Sequence, residues 1–172
     1  AIGVQTANEF LMSRTVIAAV PWFALSRIFP DNPIPVAPLL AGAAAMTSAP
    51  IATVNIWFEQ PALDNPFVGL VGRTMQWAFD KRLAFGKNGS HVALVSSGAD
   101  DVMRLSNHDL VELAVSDLRA AVPKAANVRV VHATAIREPR ATFSLAPGQP
   151  NRPTTQTEIE GLFLAGDWIE TG

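Results

Sequence analysis

The sequence predicts a mixed α/β (α+β) fold: a largely antiparallel sheet with packed helices, plus strands of a second, Rossmann-like domain. In residues 51–58, side chains at even and odd positions fall on opposite faces, and those at the even positions are all apolar, as in a half-buried strand. Residues 75–80 and 91–97 predict two further strands, antiparallel across a turn at Asn88-Gly89. By contrast, residues 162–165 are apolar throughout, which is typical of a parallel strand covered on both faces.

Two helices are expected in the first part of the chain. After a short buried strand at 15–20, Pro21 begins a helix that places three apolar residues on one face: Trp22, Leu25 and Phe29. That helix ends at a group of prolines, namely Pro30, Pro33, Pro35 and Pro38. The apolar run 36–46 predicts a buried helix begun by Pro38, although a helix that lines a lipid tunnel or touches a membrane fits the same pattern.

The second half contains one clear helix and several extended segments. Ser106 with Asp109 forms a start similar to a capping box, and the helix that follows ends at Pro123. Its expected apolar face comprises Leu110, Leu113, Ala114, Leu118 and Ala121. Residues 128–135 predict a strand, 142–145 a short extended piece and 147–153 a rigid loop.

Composition excludes several classes of function. The chain has 172 residues, of which 49% are hydrophobic, so it can form a substantial core. A formal net charge of −2 with 16% charged residues gives no basic surface for nucleic acid. Cysteine is absent, which removes disulfides and thiolate chemistry and fits a reducing compartment.

We expect a cytoplasmic protein. The sequence leaves open whether it contacts the inner membrane peripherally, and it does not determine the oligomeric state. The first ten residues lack the pattern of a signal peptide. The apolar run 36–46 is shorter than the ~20 residues that span a bilayer.

Neither a metal site nor a hydrolase is expected. The three histidines, His91, His108 and His132, show no metal-ligand spacing. Ser96-Ser97-Gly98 lacks a G-x-S-x-G elbow, and the segment 86–90 resembles a hairpin tip more than a P-loop.

The end of the last strand predicts a nucleotide cofactor. Gly166 and Asp167 follow the apolar run directly, and ligands of such sheets bind at the carboxyl ends of the strands. Gly166 allows the backbone to approach a ligand closely, and Asp167 supplies an acceptor for a sugar or ribityl hydroxyl. The alternative is that Asp167 caps a following helix.

The run Leu162-Phe163-Leu164-Ala165-Gly166-Asp167-Trp168 resembles the carboxyl-terminal flavin motif of the FAD-dependent amine oxidase and carotenoid desaturase superfamily. Within it, the closer resemblance is to the squalene-associated FAD-dependent desaturases, or hydroxysqualene dehydroxylases. That narrower likeness rests on four further runs: 50–58, 75–82, 94–101 and 140–150. It implies three segments: 1–20 and 158–172 from an FAD-binding domain, and 21–157 as a substrate-binding domain inserted between them.

The resemblance assigns Ala165, Gly166, Asp167 and Trp168 to FAD binding, with Asp167 at the ribityl or pyrophosphate part. Trp168 either stacks near the isoalloxazine or packs as an ordinary core aromatic. No G-x-G-x-x-G occurs in the sequence. We therefore expect a carboxyl-terminal part of a larger enzyme, which by itself neither holds FAD nor has activity.

The activity implied by the resemblance is reductive removal of the hydroxyl of hydroxysqualene, an isoprenoid lipid, to give squalene, with hydride from reduced flavin. Glu59, Asp80 and Glu138 are possible acids near strand ends, but no catalytic acid is assigned because such residues are more often solvated or salt-bridged surface carboxylates. Four aromatics either line an isoprenoid channel or pack in a core: Trp57, Phe58, Trp77 and Phe79. The alternatives are a phytoene desaturase-like or amine oxidase-like enzyme and a non-catalytic binding domain.

Overall fold

The computed structural model describes residues 2–29, 31 and 33–170. The chain divides into two compact units: unit 1 is Ala1–Ser48 with Thr142–Gly172, and unit 2 is Ala49–Ala141. The helix end expected at Pro30 and the chain end at Thr171-Gly172 lie outside the described residues. The division into a cofactor domain and a substrate domain with the bounds given above stays a prediction.

Twelve regular elements organise the described residues. The strands are β1 Ile2–Gln5, β2 Phe10–Ser13, β3 Val16–Ala18, β4 Ser48–Phe58, β5 Phe67–Gly69, β6 Trp77–Asp80, β7 His91–Ser97, β8 Val130–Phe143 and β9 Leu162–Leu164. The α-helices are α1 Ala37–Ala45, α2 Lys81–Phe85 and α3 Asn107–Ala121. Four short 3-10 helices occur in addition: Trp22–Ile28, Ile34–Val36, Asp100–Val102 and Pro123–Ala125.

Unit 1 contains two separate strand pairs. The first, β1 with β2, is an antiparallel hairpin closed by Thr6, whose hydroxyl oxygen accepts from the Glu9 N–H at 3.1 Å. The second, β3 with β9, is parallel, with Val16 opposite Leu162. Leu162 and Leu164 are buried, whereas Ile17 is 64% exposed, so the strand expected at 15–20 is buried on one face.

Helices and the parallel pair share the core of unit 1. Pro21 is extended and begins a helix as expected, but this helix is 3-10 rather than α. Pro38 lies in the first turn of α1, which buries Leu40 and Ala43 and leaves its other side in contact with solvent. The core residues of unit 1 are Ala18, Trp22, Leu25, Val36, Leu40, Ala43, Met46, Leu162, Leu164, Trp168 and Ile169.

The five-stranded sheet has the order β5-β6-β7-β4-β8. Strands β5, β6, β7 and β4 are antiparallel to their neighbours in this order. The β4–β7 register runs from Ile51 opposite Ser97 to Trp57 opposite His91. The largely antiparallel sheet predicted from the sequence is thereby confirmed.

One face of this sheet packs into the core of unit 2. The predicted alternation in β4 is confirmed, because Ala52, Val54, Ile56 and Phe58 are all buried. Helix α3 contributes the buried residues Leu110, Ala114, Val115 and Leu118 to the same cluster. Ser106 caps α3 by accepting from the Asp109 N–H at 3.1 Å, as its sequence predicts.

Two connections differ from the expectation. A helix, α2, lies between β6 and β7, and it ends at Gly86 with φ +63° before the predicted turn, where Gly89 has φ +91°. Strand β8 runs without interruption to Phe143, so it joins the two extended segments that were expected separately. Among the described residues, no helix is long and apolar enough to cross a bilayer.

Candidate functional site

Gly166 lies immediately beyond the parallel strand pair of unit 1. The Ala165 N–H donates to the Ala18 carbonyl at 3.2 Å, which extends the contact past the end of β9. Gly166 is exposed and has φ +147°, a conformation that L side chains rarely adopt. A Cβ at this position would meet the Trp168 indole at 2.9 Å. Both observations show that the backbone here requires glycine and presents a bare peptide surface.

Asp167 presents a carboxylate at the same strand end. The side chain is exposed, and its Oδ2 accepts one hydrogen bond from the Thr142 hydroxyl at 3.3 Å. A carboxylate has about four lone-pair positions, so it keeps acceptor capacity for further hydroxyl donors. An exposed acceptor beside a bare peptide can bind a ligand that carries hydroxyl groups.

Trp168 is part of the core of unit 1. Its side chain is 1% exposed, and its indole N–H donates to the Val20 carbonyl at 2.9 Å. This bond joins the segment after β9 to the segment after β3, and it supports the turn that holds Gly166 and Asp167. The structure shows Trp168 packing; its contact with a cofactor stays a prediction.

The three carboxylates considered as acids lie in different surroundings. Glu59 accepts two hydrogen bonds from the Arg129 guanidinium at 2.9 and 3.1 Å, and this partner lowers the pKa of Glu59. Asp80 is 1% exposed; its Oδ1 accepts from the backbone N–H groups of Arg82 and Leu83 and thereby caps α2. Glu138 is exposed on β8. Glu59 and Asp80 thus hold structural partners.

The face of the five-stranded sheet turned away from the core is rich in aromatic rings. Cross-strand register and the alternation along each strand place several residues on this open sheet face, among them Asn55, Trp57, Phe67, Trp77, Phe79, His91 and Ala93. Of the aromatics proposed from sequence for a channel, Trp57, Trp77 and Phe79 lie here. Phe58 instead belongs to the core on the opposite face.

Ring contacts connect the strands across the open sheet face. Trp57 stacks on His91 with centroids 4.3 Å apart, and His132 of β8 lies 5.2 Å from Trp57. At the other edge, Trp77 lies 6.3 Å from Phe67 and 6.4 Å from Phe79. Phe67 is 57% and Trp77 44% exposed, so this surface offers apolar rings to a ligand. Sequence reasoning missed Phe67 and His91 because only the strand register brings them to this face. It missed His132 because the contact of its ring with Trp57 joins residues far apart in sequence.

No group of three or more His, Cys, Asp or Glu residues in the described ranges can hold a metal ion.

A family match over nearly the whole chain places it in the flavin-dependent oxidoreductase superfamily. The chain belongs to the family described as flavin containing amine oxidoreductase, which matches residues 2–172 and whose cofactor is FAD.

Two curated relatives align with more than nine-tenths of the chain. A hydroxysqualene dehydroxylase of Zymomonas mobilis is 27% identical over 91% of this chain and 34% of its own length. A 15-cis-phytoene desaturase of Glycine max is 22% identical over 96% of this chain and 32% of its own length. The chain therefore spans about a third of the length of these relatives.

A solved structure shows the same fold. An oxidoreductase from Methanosarcina mazei superimposes with a TM-score of 0.60 at 16% identity, over 95% of this chain and 40% of that chain.

Proposed function

We propose that the whole protein, with FAD bound, reductively removes the hydroxyl of hydroxysqualene to give squalene. The observation that carries the proposal is the open sheet face, whose half-exposed rings suit a long polyisoprenoid chain. The likeness to a hydroxysqualene dehydroxylase over 91% of the chain favours hydroxysqualene among such lipids. Cytoplasmic location with peripheral contact to the inner membrane belongs to the same proposal, because this substrate partitions into lipid.

Residues 165–168 form the cofactor side of the proposal. Ala165 and Gly166 allow FAD to approach the backbone, and Asp167 accepts hydrogen bonds from its ribityl or pyrophosphate region. Trp168 supports them through its bond to Val20 and, in the same proposal, lies next to the cofactor. With FAD bound in its reduced form, the chemistry available would be a hydride for the carbon whose C–O bond breaks, and the hydroxyl would leave with a proton as water.

A phytoene desaturase-like reaction is the main alternative, since one such relative covers 96% of the chain. The two reactions move electrons in opposite directions: desaturation reduces the flavin, whereas dehydroxylation oxidises it. Product analysis separates them. The FAD-loaded whole protein should convert hydroxysqualene to squalene with a reductant present, and should leave phytoene unchanged when supplied with an electron acceptor. Desaturated phytoene without squalene would support the alternative, and turnover of an amine would indicate an amine oxidase-like enzyme.

A non-catalytic binding domain is the alternative of another class. It predicts that the whole protein is colourless and takes up no FAD on reconstitution. Our proposal predicts flavin absorption for the whole protein and none for these 172 residues alone, because they contain no G-x-G-x-x-G turn for the pyrophosphate.

A further inference from the structure

The open sheet face carries a polar pair among its rings. Nε2 of His91 lies 2.8 Å from Oδ1 of Asn55. The same imidazole stacks on Trp57 with an interplanar angle of 13°. All three side chains are half-buried, and the β4–β7 register fixes their positions.

This geometry determines which imidazole nitrogen is free. The Asn55 oxygen only accepts, so Nε2 carries the hydrogen and donates, and Nδ1 of the neutral ring keeps its lone pair. In the described part of the chain, the buried side-chain nitrogens without a partner are Nε of Arg82 and Nε of Arg137. Nδ1 of His91 has no hydrogen-bond partner among the described residues and is not one of these buried atoms, so it is not fully buried and can accept from a donor outside the sheet.

Burial and then the charge of Lys81 lower the pKa of His91 from its ordinary value of 6.5, while Asp80 opposes this change. The ring is therefore neutral at pH 7, which is the state that offers an acceptor.

We propose that Nδ1 of His91 accepts a hydrogen bond from the hydroxyl of an isoprenoid alcohol whose hydrocarbon chain lies across the open sheet face. Asn55 and Trp57 hold the imidazole in place. This inference rests on the proposed function, because hydroxysqualene is such an alcohol. It makes His91 a specificity-determining residue that distinguishes the alcohol from an otherwise similar hydrocarbon.

Paired binding measurements on the FAD-loaded whole protein test the inference. The dissociation constants of hydroxysqualene and squalene are determined for the wild type, His91→Phe, Asn55→Leu and the control His108→Phe, which lies at an exposed position in the first turn of α3. His91→Phe keeps a ring for Trp57 but removes the acceptor. We expect it to weaken hydroxysqualene binding about three- to tenfold, as loss of one hydrogen bond does, with squalene binding unchanged. Asn55→Leu should show a smaller loss in the same direction, and His108→Phe should show none.

A second measurement needs no variant. The ¹⁵N resonance of His91 Nδ1 should shift on addition of hydroxysqualene and stay in place with squalene. Equal losses for both ligands in His91→Phe, or no loss for either, would overturn the role of His91, as would an unmoved resonance. Failure of the wild type to bind hydroxysqualene would instead overturn the proposed function itself, so the two failures are distinguishable.

Discussion

At the scale of single residues, Gly166 has a backbone conformation that favours glycine and is also exposed to solvent. Its φ of +147° and the 2.9 Å that would separate an added Cβ from the Trp168 indole both disfavour any larger residue. A buried glycine with these properties serves packing, but an exposed one also leaves space for a ligand. The side chain of Asp167 then stands next to that space.

Gly166→Ala is expected to lower the free energy of unfolding by about 1–3 kcal/mol, because it adds both backbone strain and a clash with the indole. Chemical unfolding monitored by tryptophan fluorescence measures the loss. Gly42→Ala is the matched control: it lies inside α1, and beyond its chain neighbours and the backbone of its own helix no atom lies within 4 Å of the added Cβ. Alanine there should stabilise by about 0.5–1 kcal/mol. An unchanged stability for Gly166→Ala would show that the turn does not need glycine.

His91 should make the stability of unit 2 depend on pH. Its pKa is lowered in the folded chain, mainly by burial and then by Lys81, so the unfolded chain binds the proton more readily. The contribution of His91 to the free energy of unfolding is complete well above pH 6.5. It falls as the pH drops through 6.5 and stops falling below the pKa of His91 in the folded chain. Unfolding curves between pH 8 and pH 5 should show this slope in the wild type and less of it in His91→Phe. An identical slope in both would contradict the assignment.

At the scale of elements, α3 is held by its first turn and its apolar face. Ser106 accepts from the Asp109 N–H, and its hydroxyl also donates to the Asp109 carboxylate at 2.8 Å. The acidic side chain in the first turn complements the helix dipole. The face that this turn orients contributes Leu110 and Leu118, both fully buried, to the core behind the sheet.

Ser106→Ala should lower the free energy of unfolding by about 1 kcal/mol through loss of the cap. Ser116→Ala, at an exposed position of the same helix, is the control and should change it by less than about 0.5 kcal/mol. Thermal unfolding followed by circular dichroism compares the two variants. A larger loss for Ser116→Ala would show that the cap does not limit the stability of α3.

Elements with strong local patterns were predictable from sequence, whereas those defined by distant contacts were not. The alternation in β4 and the cap of α3 depend on residues that are close together in the sequence, and both are found in the structure. The five-residue helix α2 was missed because its capping residue, Asp80, looks like an ordinary strand end until its burial is known. The contact between Asn55 and His91 joins residues 36 apart, so it depends on a register that no local pattern reveals.

At the scale of the whole molecule, the chain forms two compact units. Unit 1 holds the parallel strand pair and the exposed Gly166-Asp167 end, which fits the FAD expected for this family. Unit 2 holds the sheet whose open face presents aromatic rings around His91. We propose that unit 1 contributes to cofactor binding and unit 2 to recognition of the isoprenoid.

An anaerobic single turnover tests this account most directly. The FAD-loaded whole protein is reduced, freed of excess reductant and mixed with hydroxysqualene, and both flavin absorption and lipid products are followed. We predict that oxidised flavin returns together with one equivalent of squalene. Flavin that stays reduced while hydroxysqualene remains intact would contradict the account.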